Sequence, residues 1–76
     1  MNNANLKTGI YRHYKGKEYQ VLHIAHHSKT KEMLVVYRAL YGERGVWVRP
    51  LAMFCEMVNI NGQDVPRFKL IKELSC

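Results

Sequence analysis

Apolar and polar residues alternate along this chain in short runs, each closed by glycine, proline or a polar cluster, which is the pattern of strands and turns. Gly9 opens a strand over Ile10–Tyr14, and Lys15-Gly16-Lys17 turns the chain. Glu18–His26 predicts a second strand, with Tyr19, Val21, His23 and Ala25 on one side and Gln20, Leu22 and Ile24 on the other. After a polar connection over residues 27–31 comes Met33–Tyr41, the longest β-branched and aromatic run, and Val46–Arg49 is its partner. Pro50 interrupts sheet pairing and can open a helical turn. Leu51–Met57 then has weak helical character, with Leu51, Phe54 and Val58 on one side. Asn61-Gly62-Gln63-Asp64 is a turn, and Arg67–Ile71 follows Pro66 as the last strand. About five short strands with one helical turn before the last predict a mostly β fold, a small and strongly bent barrel. Residues 1–8 read as a loose arm and residues 9–76 as a single domain.

The central hairpin can be given a register. Gly42-Glu43-Arg44-Gly45 suits a type I turn followed by Gly45 in a left-handed bulge position. That loop sets Tyr41 opposite Trp47, Ala39 opposite Arg49 and Leu40 opposite Val48. A slip of one residue would oppose Arg38 to Arg49, a like-charge pair that costs stability. The preferred register gathers Tyr37, Tyr41, Trp47 and Arg49 on one face and Leu34, Val36, Leu40, Val46 and Val48 on the other. Parity fixes this grouping and leaves open which face is buried.

Composition narrows the functional classes. In a 76-residue chain, a domain of this size buries only about 60% of the surface its unfolded chain exposes, which leaves no room for a deep cleft. Twelve Lys+Arg against six Asp+Glu give a formal charge of +6, which favours anionic partners such as RNA or DNA. The same charge would also serve solubility alone, and the basic residues are spread from Lys7 to Lys72 with no long run. Cys55 and Cys76 do not form a disulfide framework, and neither end carries an apolar run of signal or membrane-span length. The reducing cytoplasm, with no membrane partner, is the expectation.

Three stretches, GIYRHYKGKEYQVLHIAHHS, LVVYRALYGERGVWVRPLAMF and VPRFKLI, resemble in this order the bacterial DUF1653 family, over about Gly9 to Ile71. The resemblance implies an SH3-like β-barrel and no established activity. The family pattern has a glycine or another small residue near His23, so the histidine departs from it.

The candidate chemistry follows from the aromatic face. Planar rings offer surfaces for stacking bases, and guanidinium groups pair with phosphate. Tyr37, Tyr41, Trp47 and Arg49, with Arg12 brought from another strand, are therefore the candidate binding residues. The competing reading is that a small barrel fills its interior with these large side chains, Trp47 among them. His23 and His27 lie ~13 Å apart on an extended strand, at roughly 3.3 Å per residue, too far for one metal ion. His13 reads as a hydrogen-bonded or partly buried side chain. Cys55 sits in an apolar turn beside Phe54, which suits a small inert hydrophobe better than a thiolate. No phosphate loop, serine elbow or carboxylate pair is present, so no catalytic residue, metal or cofactor is expected. The expected function is a non-catalytic binding module for an anionic partner, RNA or single-stranded nucleic acid. The alternative is a protein-interaction module using the same face for a peptide or for a homodimer.

Overall fold

A computed structural model of the protein describes residues 6–74. The elements are β1 (Gly9–His13), β2 (Glu18–His26), β3 (Met33–Ala39), β4 (Val46–Pro50), α1 (Leu51–Phe54), β5 (Met57–Ile60), β6 (Gln63–Pro66) and β7 (Phe68–Glu73). The fold is mostly β, as the alternation predicts, with seven strands in two sheets in place of about five in one. Five strands pair in the order β4-β3-β2-β1-β7, and β5 pairs with β6 alone. The larger sheet is not closed into a barrel, because β4 and β7 remain its two edges. It nevertheless curls enough for Arg49 of β4 to lie over the ring of Phe68 in β7, with its guanidinium carbon 5.7 Å from the ring centroid. The edges meet through side chains instead of backbone hydrogen bonds.

Two bulges bend the sheet. Between Val21 and His23 the β2–β3 register steps by one, which leaves Leu22 as the extra residue. The step also reverses the parity of β2, so that Ile24, opposite Val35, packs on the core while His23 is exposed. Strict alternation had put Ile24 on the face away from Tyr19 and Val21. A second shift, between Ile10 and Tyr11, interrupts the pairing of β1 with β7. Each bulge adds local twist, and β1 and β2 are the strands that must curl to bring the sheet edges together.

The hairpin register differs from the expected one. Tyr37, not Tyr41, lies opposite Trp47, and Arg49 lies opposite Val35, a displacement of four positions along β3. The cause is that β3 leaves β4 after Ala39, and the Leu40 amide donates to the Glu18 carbonyl of β2 at 3.0 Å. Within the loop, Gly42 (φ 57°) and Arg44 (φ 56°) take the left-handed conformation expected of Gly45. A displacement of an even number of residues preserves parity, so Tyr37, Trp47 and Arg49 still share a face. That face is turned inward over Val35, Tyr37 and Ala39, all buried. The supposed aliphatic face is the outer one, where Val46 and Val48 are exposed.

The second sheet is a tight hairpin. Asn61 (φ 54°) and Gly62 (φ 82°) form its two-residue turn, the Asn-Gly signature of a type I′ hairpin. The Gly62 amide donates to Asn59 Oδ1 at 3.2 Å. The weak helical character read through Met57 ends at Phe54, so α1 is a single turn that buries Leu51 and Phe54. At the base of the hairpin the Arg67 amide donates to the Glu56 carbonyl at 3.0 Å.

The core is aromatic. Phe54 and Phe68 stack face to face, with centroids 4.1 Å apart and planes 4° from parallel. Tyr11 meets the edge of Phe54 at 5.5 Å, and Tyr37 packs against both phenylalanines. Val21, Val35 and Leu51 complete the buried cluster. The end of the expected loose arm belongs to this fold: Leu6 packs on the core, and Thr8 Oγ1 donates to the Leu74 carbonyl at 2.8 Å. The rest of that arm, Met1–Asn5, and the terminal Cys76 lie outside the described residues.

At Gly9 the backbone of β1 lies close against β7. Gly9 is buried at φ 151°, and a Cβ there would run into the Lys72 carbonyl. Gly9→Ala is expected to lower stability in urea unfolding by about 1–3 kcal/mol, through strain and forced separation of the two strands. An unchanged midpoint would contradict the packing of β1 on β7.

Candidate functional site

The curl of the sheet creates a mouth where the ends of β1, β2 and β3 approach β4 and β7. Phe68 forms its floor. Tyr19 meets the edge of Phe68 at 5.6 Å and lies 5.5 Å from both Tyr37 and Tyr41. His13 stands on the Phe68 edge at 4.9 Å. Arg49 is half-buried above the same ring, and its Nε donates to the Tyr37 hydroxyl at 3.5 Å, the long limit of a hydrogen bond. Lys17 Nζ sits 4.5 Å from the centroid of Tyr41 at the rim.

The candidate residues fall into three places. Tyr37 is a core residue, 6% exposed, and reaches the mouth only through its hydroxyl. Tyr41 and Trp47 are surface residues, 41% and 61% exposed, so Trp47 does not fill the interior. The indole of Trp47 lies over Gly45, where an added Cβ would touch its Nε1 at 3.4 Å. Arg12 is not brought to this mouth. It alternates outward from buried Tyr11 and pairs with Glu18 at 2.9 Å. Residues that the chain pattern did not single out, Tyr19, Lys17 and Phe68, complete the mouth. Their link to Tyr41 is a long-range contact with no local signature.

Charge at the mouth is one-sided. Among the described residues, Lys7, Arg12 and Arg67 have carboxylate partners, in Glu73, Glu18 and Glu56. Arg49 has none. Arg67 also keeps a buried Nε with no hydrogen-bond partner. A half-buried guanidinium held only by a phenol and a ring face is poorly compensated, and an arriving anion would gain by pairing with it.

Burial raises the Tyr19 phenol to about 12, helped by its hydrogen bond with Tyr41 and by the neighbouring phenols, against the opposing pull of Arg49. The hydroxyls of Tyr19 and Tyr41 are 2.8 Å apart and share a hydrogen bond at this end of the mouth. Burial also raises the Cys55 thiol, which keeps it protonated against the core. His27 Nδ1 accepts from the amides of Lys29 and Thr30, a turn-capping role. Among the described residues, no three His, Cys, Asp or Glu side chains gather as metal ligands, and no helix is long and apolar enough to cross a membrane.

His13 reports on the mouth. Its imidazole is lowered from the usual value first by burial, then by Arg67, Lys15 and Arg49. A base whose folded pKa is depressed binds fewer protons folded than unfolded as pH falls below about 6.5, so acid withdraws stability over that range. NMR titration is expected to place the His13 midpoint below the usual histidine value. His13→Gln should flatten the fall in thermal stability between pH 7 and pH 5. A His13 midpoint at or above the free-histidine value would contradict the packed, cation-facing placement.

Comparison with known proteins agrees with this fold. None of the curated proteins matches the chain. Residues 9–70 match the family described as "Protein of unknown function (DUF1653)". A crystal structure of a protein belonging to that family, from Bordetella bronchiseptica, is 32% identical in sequence and superposes with a TM-score of 0.85, covering 99% of each chain. With most of its length matched by the family and its whole fold by that structure, the chain belongs to the DUF1653 family.

Proposed function

We propose that the protein is a non-catalytic binding module of the cytoplasm whose mouth takes an anionic partner, single-stranded RNA or DNA. The observation that carries this reading is the company of Arg49. A guanidinium with no carboxylate partner among the described residues shares its face of β4 with exposed Trp47, two positions away, and Tyr41 is exposed at the rim of the same mouth. Phosphate would pair with Arg49 and with Lys17 at the rim, and bases would stack on Trp47 and Tyr41. Tyr37 positions Arg49 through its hydroxyl and is not itself a contact. Arg12, held by Glu18 on the outer side, drops out of this set. The overall charge of +6 would assist encounter with a polyanion. No constellation of nucleophile, base and oxyanion donors accompanies these residues, and the Cys55 thiol is pushed up by burial.

A second reading has one specific observation behind it. The Ala39 amide donates to the Gly45 carbonyl, so the hydrogen-bonded pairs continue at Tyr37/Trp47 and Val35/Arg49. The backbone groups of Val46 and Val48 therefore face the open edge of β4, beside exposed apolar side chains. Such an edge can accept a peptide strand or a second copy of the chain.

The two readings separate in solution. Titration of the labelled protein with a short mixed-sequence RNA should shift Tyr41, Trp47 and Arg49, and a fourfold rise in salt should weaken binding roughly 10-fold for two or three phosphate contacts. Trp47→Ala should cost about 1–3 kcal/mol of binding. Its effect on folding stability should stay within ~0.5 kcal/mol, because the side chain is exposed. A silent spectrum at low salt would sink the nucleic-acid reading. Concentration-dependent sedimentation that tolerates salt would move the choice to the β4 edge.

A further inference from the structure

On the other side of β1, a trough of about 690 Å³ runs between the β1–β7 pair and the β5–β6 hairpin. Its lining combines an aliphatic stretch with a pair of cations. The hairpin contributes Ile60, Val65 and Pro66, and β7 contributes Leu70 and Ile71, so the long wall is aliphatic. The β1–β7 flank carries Arg12 and Lys69. These two cations stand directly opposite each other in the strand register, an arrangement that costs stability unless an anion lies between or beside them. Glu18 answers Arg12 from the far side, and Lys69 has no carboxylate partner among the described residues.

The apolar wall is also open to water. Ile60, Leu70 and Ile71 are all exposed, although the fold has a buried core in which aliphatic side chains are few. A volume of this size lies within the ordinary range for a small-molecule site, roughly 300–1,000 Å³. Branched aliphatic side chains offer dispersion contacts to a saturated chain, and the rings in the lining are those of the neighbours His13 and Tyr14.

We propose that this trough binds a monomeric linear alkyl carboxylate, with its carboxylate between Arg12 and Lys69 and its chain along Ile60, Val65 and Ile71. His13, on the edge of Phe68, lines both places, so the trough adjoins the mouth, but Tyr37, Tyr41, Trp47 and Arg49 do not line it and the proposal does not rest on nucleic-acid binding. Complementarity decides the class: an anionic head for Lys69, which has no carboxylate partner among the described residues, beside an Arg12 shared with Glu18, and one apolar tail for the aliphatic side chains.

The test is an NMR titration of the full chain with octanoate, kept below self-association, alongside octylamine and 1-octanol as chain-matched controls. Octanoate should shift Arg12, Lys69, Ile71 and the β5–β6 hairpin while leaving Trp47 and Tyr41 in place. Octylamine should bind at least ~10-fold more weakly, the difference expected from losing a charge-assisted contact and gaining a repulsion. Lys69→Glu should weaken octanoate by a similar factor, and Ile71→Asp should do so without disturbing the rest of the spectrum. Equal response to all three chains would overturn the proposal in favour of unspecific apolar contact. Shifts centred on Arg49, a silent titration, or binding only to vesicles of anionic lipid would overturn it as well.

Discussion

The stacked pair Phe54–Phe68 is the contact on which the rest of the structure depends. Phe54 comes from a single helical turn and Phe68 from the first residue of an edge strand, two pieces of chain that could not hold their place alone. A four-residue helix has no independent stability. Their stack ties both to the inner face of the curled sheet through Tyr11 and Tyr37. Removing such a ring from a core typically costs about 3–5 kcal/mol, a large share of the 5–15 kcal/mol that holds a domain folded. The use of rings also explains how so short a chain makes a core. Each ring buries far more apolar area than a valine, so few buried positions suffice.

That same choice generates the mouth. Rings that fill a small core also reach its rim, so Phe68 is at once stacked on Phe54 and in contact with His13, Tyr19 and Arg49. The two readings of the aromatic face, interior filling and surface site, are therefore both right in part. Tyr37 fills, Trp47 and Tyr41 face water, and Tyr19 bridges the two. The division follows position in the sheet: β3 lies inside it with neighbours on both sides, whereas Trp47 sits on the β4 edge and Tyr41 in the loop beyond β3.

Most strands could be read from the chain because alternation and turn residues act locally. The grouping of Tyr37, Trp47 and Arg49 was legible too, since a displacement of four positions leaves side-chain parity intact. What escaped was set by tertiary partners. The Leu22 bulge answers the need of β2 to bend, and nothing in its own neighbours announces it. The departure of β3 from β4 after Ala39 depends on a hydrogen bond to Glu18, more than twenty positions away in the chain. The β5–β6 hairpin is a different case. Asn61-Gly62 is a strong hairpin signal, but its strands are short and follow an apolar helical turn, so the helix pattern masked them. Arg12 was grouped with the aromatic face on composition alone; its alternation with inward Tyr11 already places it on the far side.

Arg49 shows how the fold itself shapes the electrostatics. Glu18 and Glu56 take Arg12 and Arg67, whereas the half-buried Arg49 meets no carboxylate among the described residues. At Arg49 the neighbours are a valine opposite, a phenol and a phenylalanine ring. A ring face and a hydroxyl orient the guanidinium without neutralising it, which leaves its charge directed at whatever enters the mouth. A glutamate in the place of Tyr37 would neutralise Arg49, but a carboxylate 6% exposed would carry a desolvation cost that a phenol does not. The inward curl that closes the core over Phe68 thus disfavours a carboxylate at Tyr37, and the uncancelled charge of Arg49 follows from the same packing that makes the domain fold.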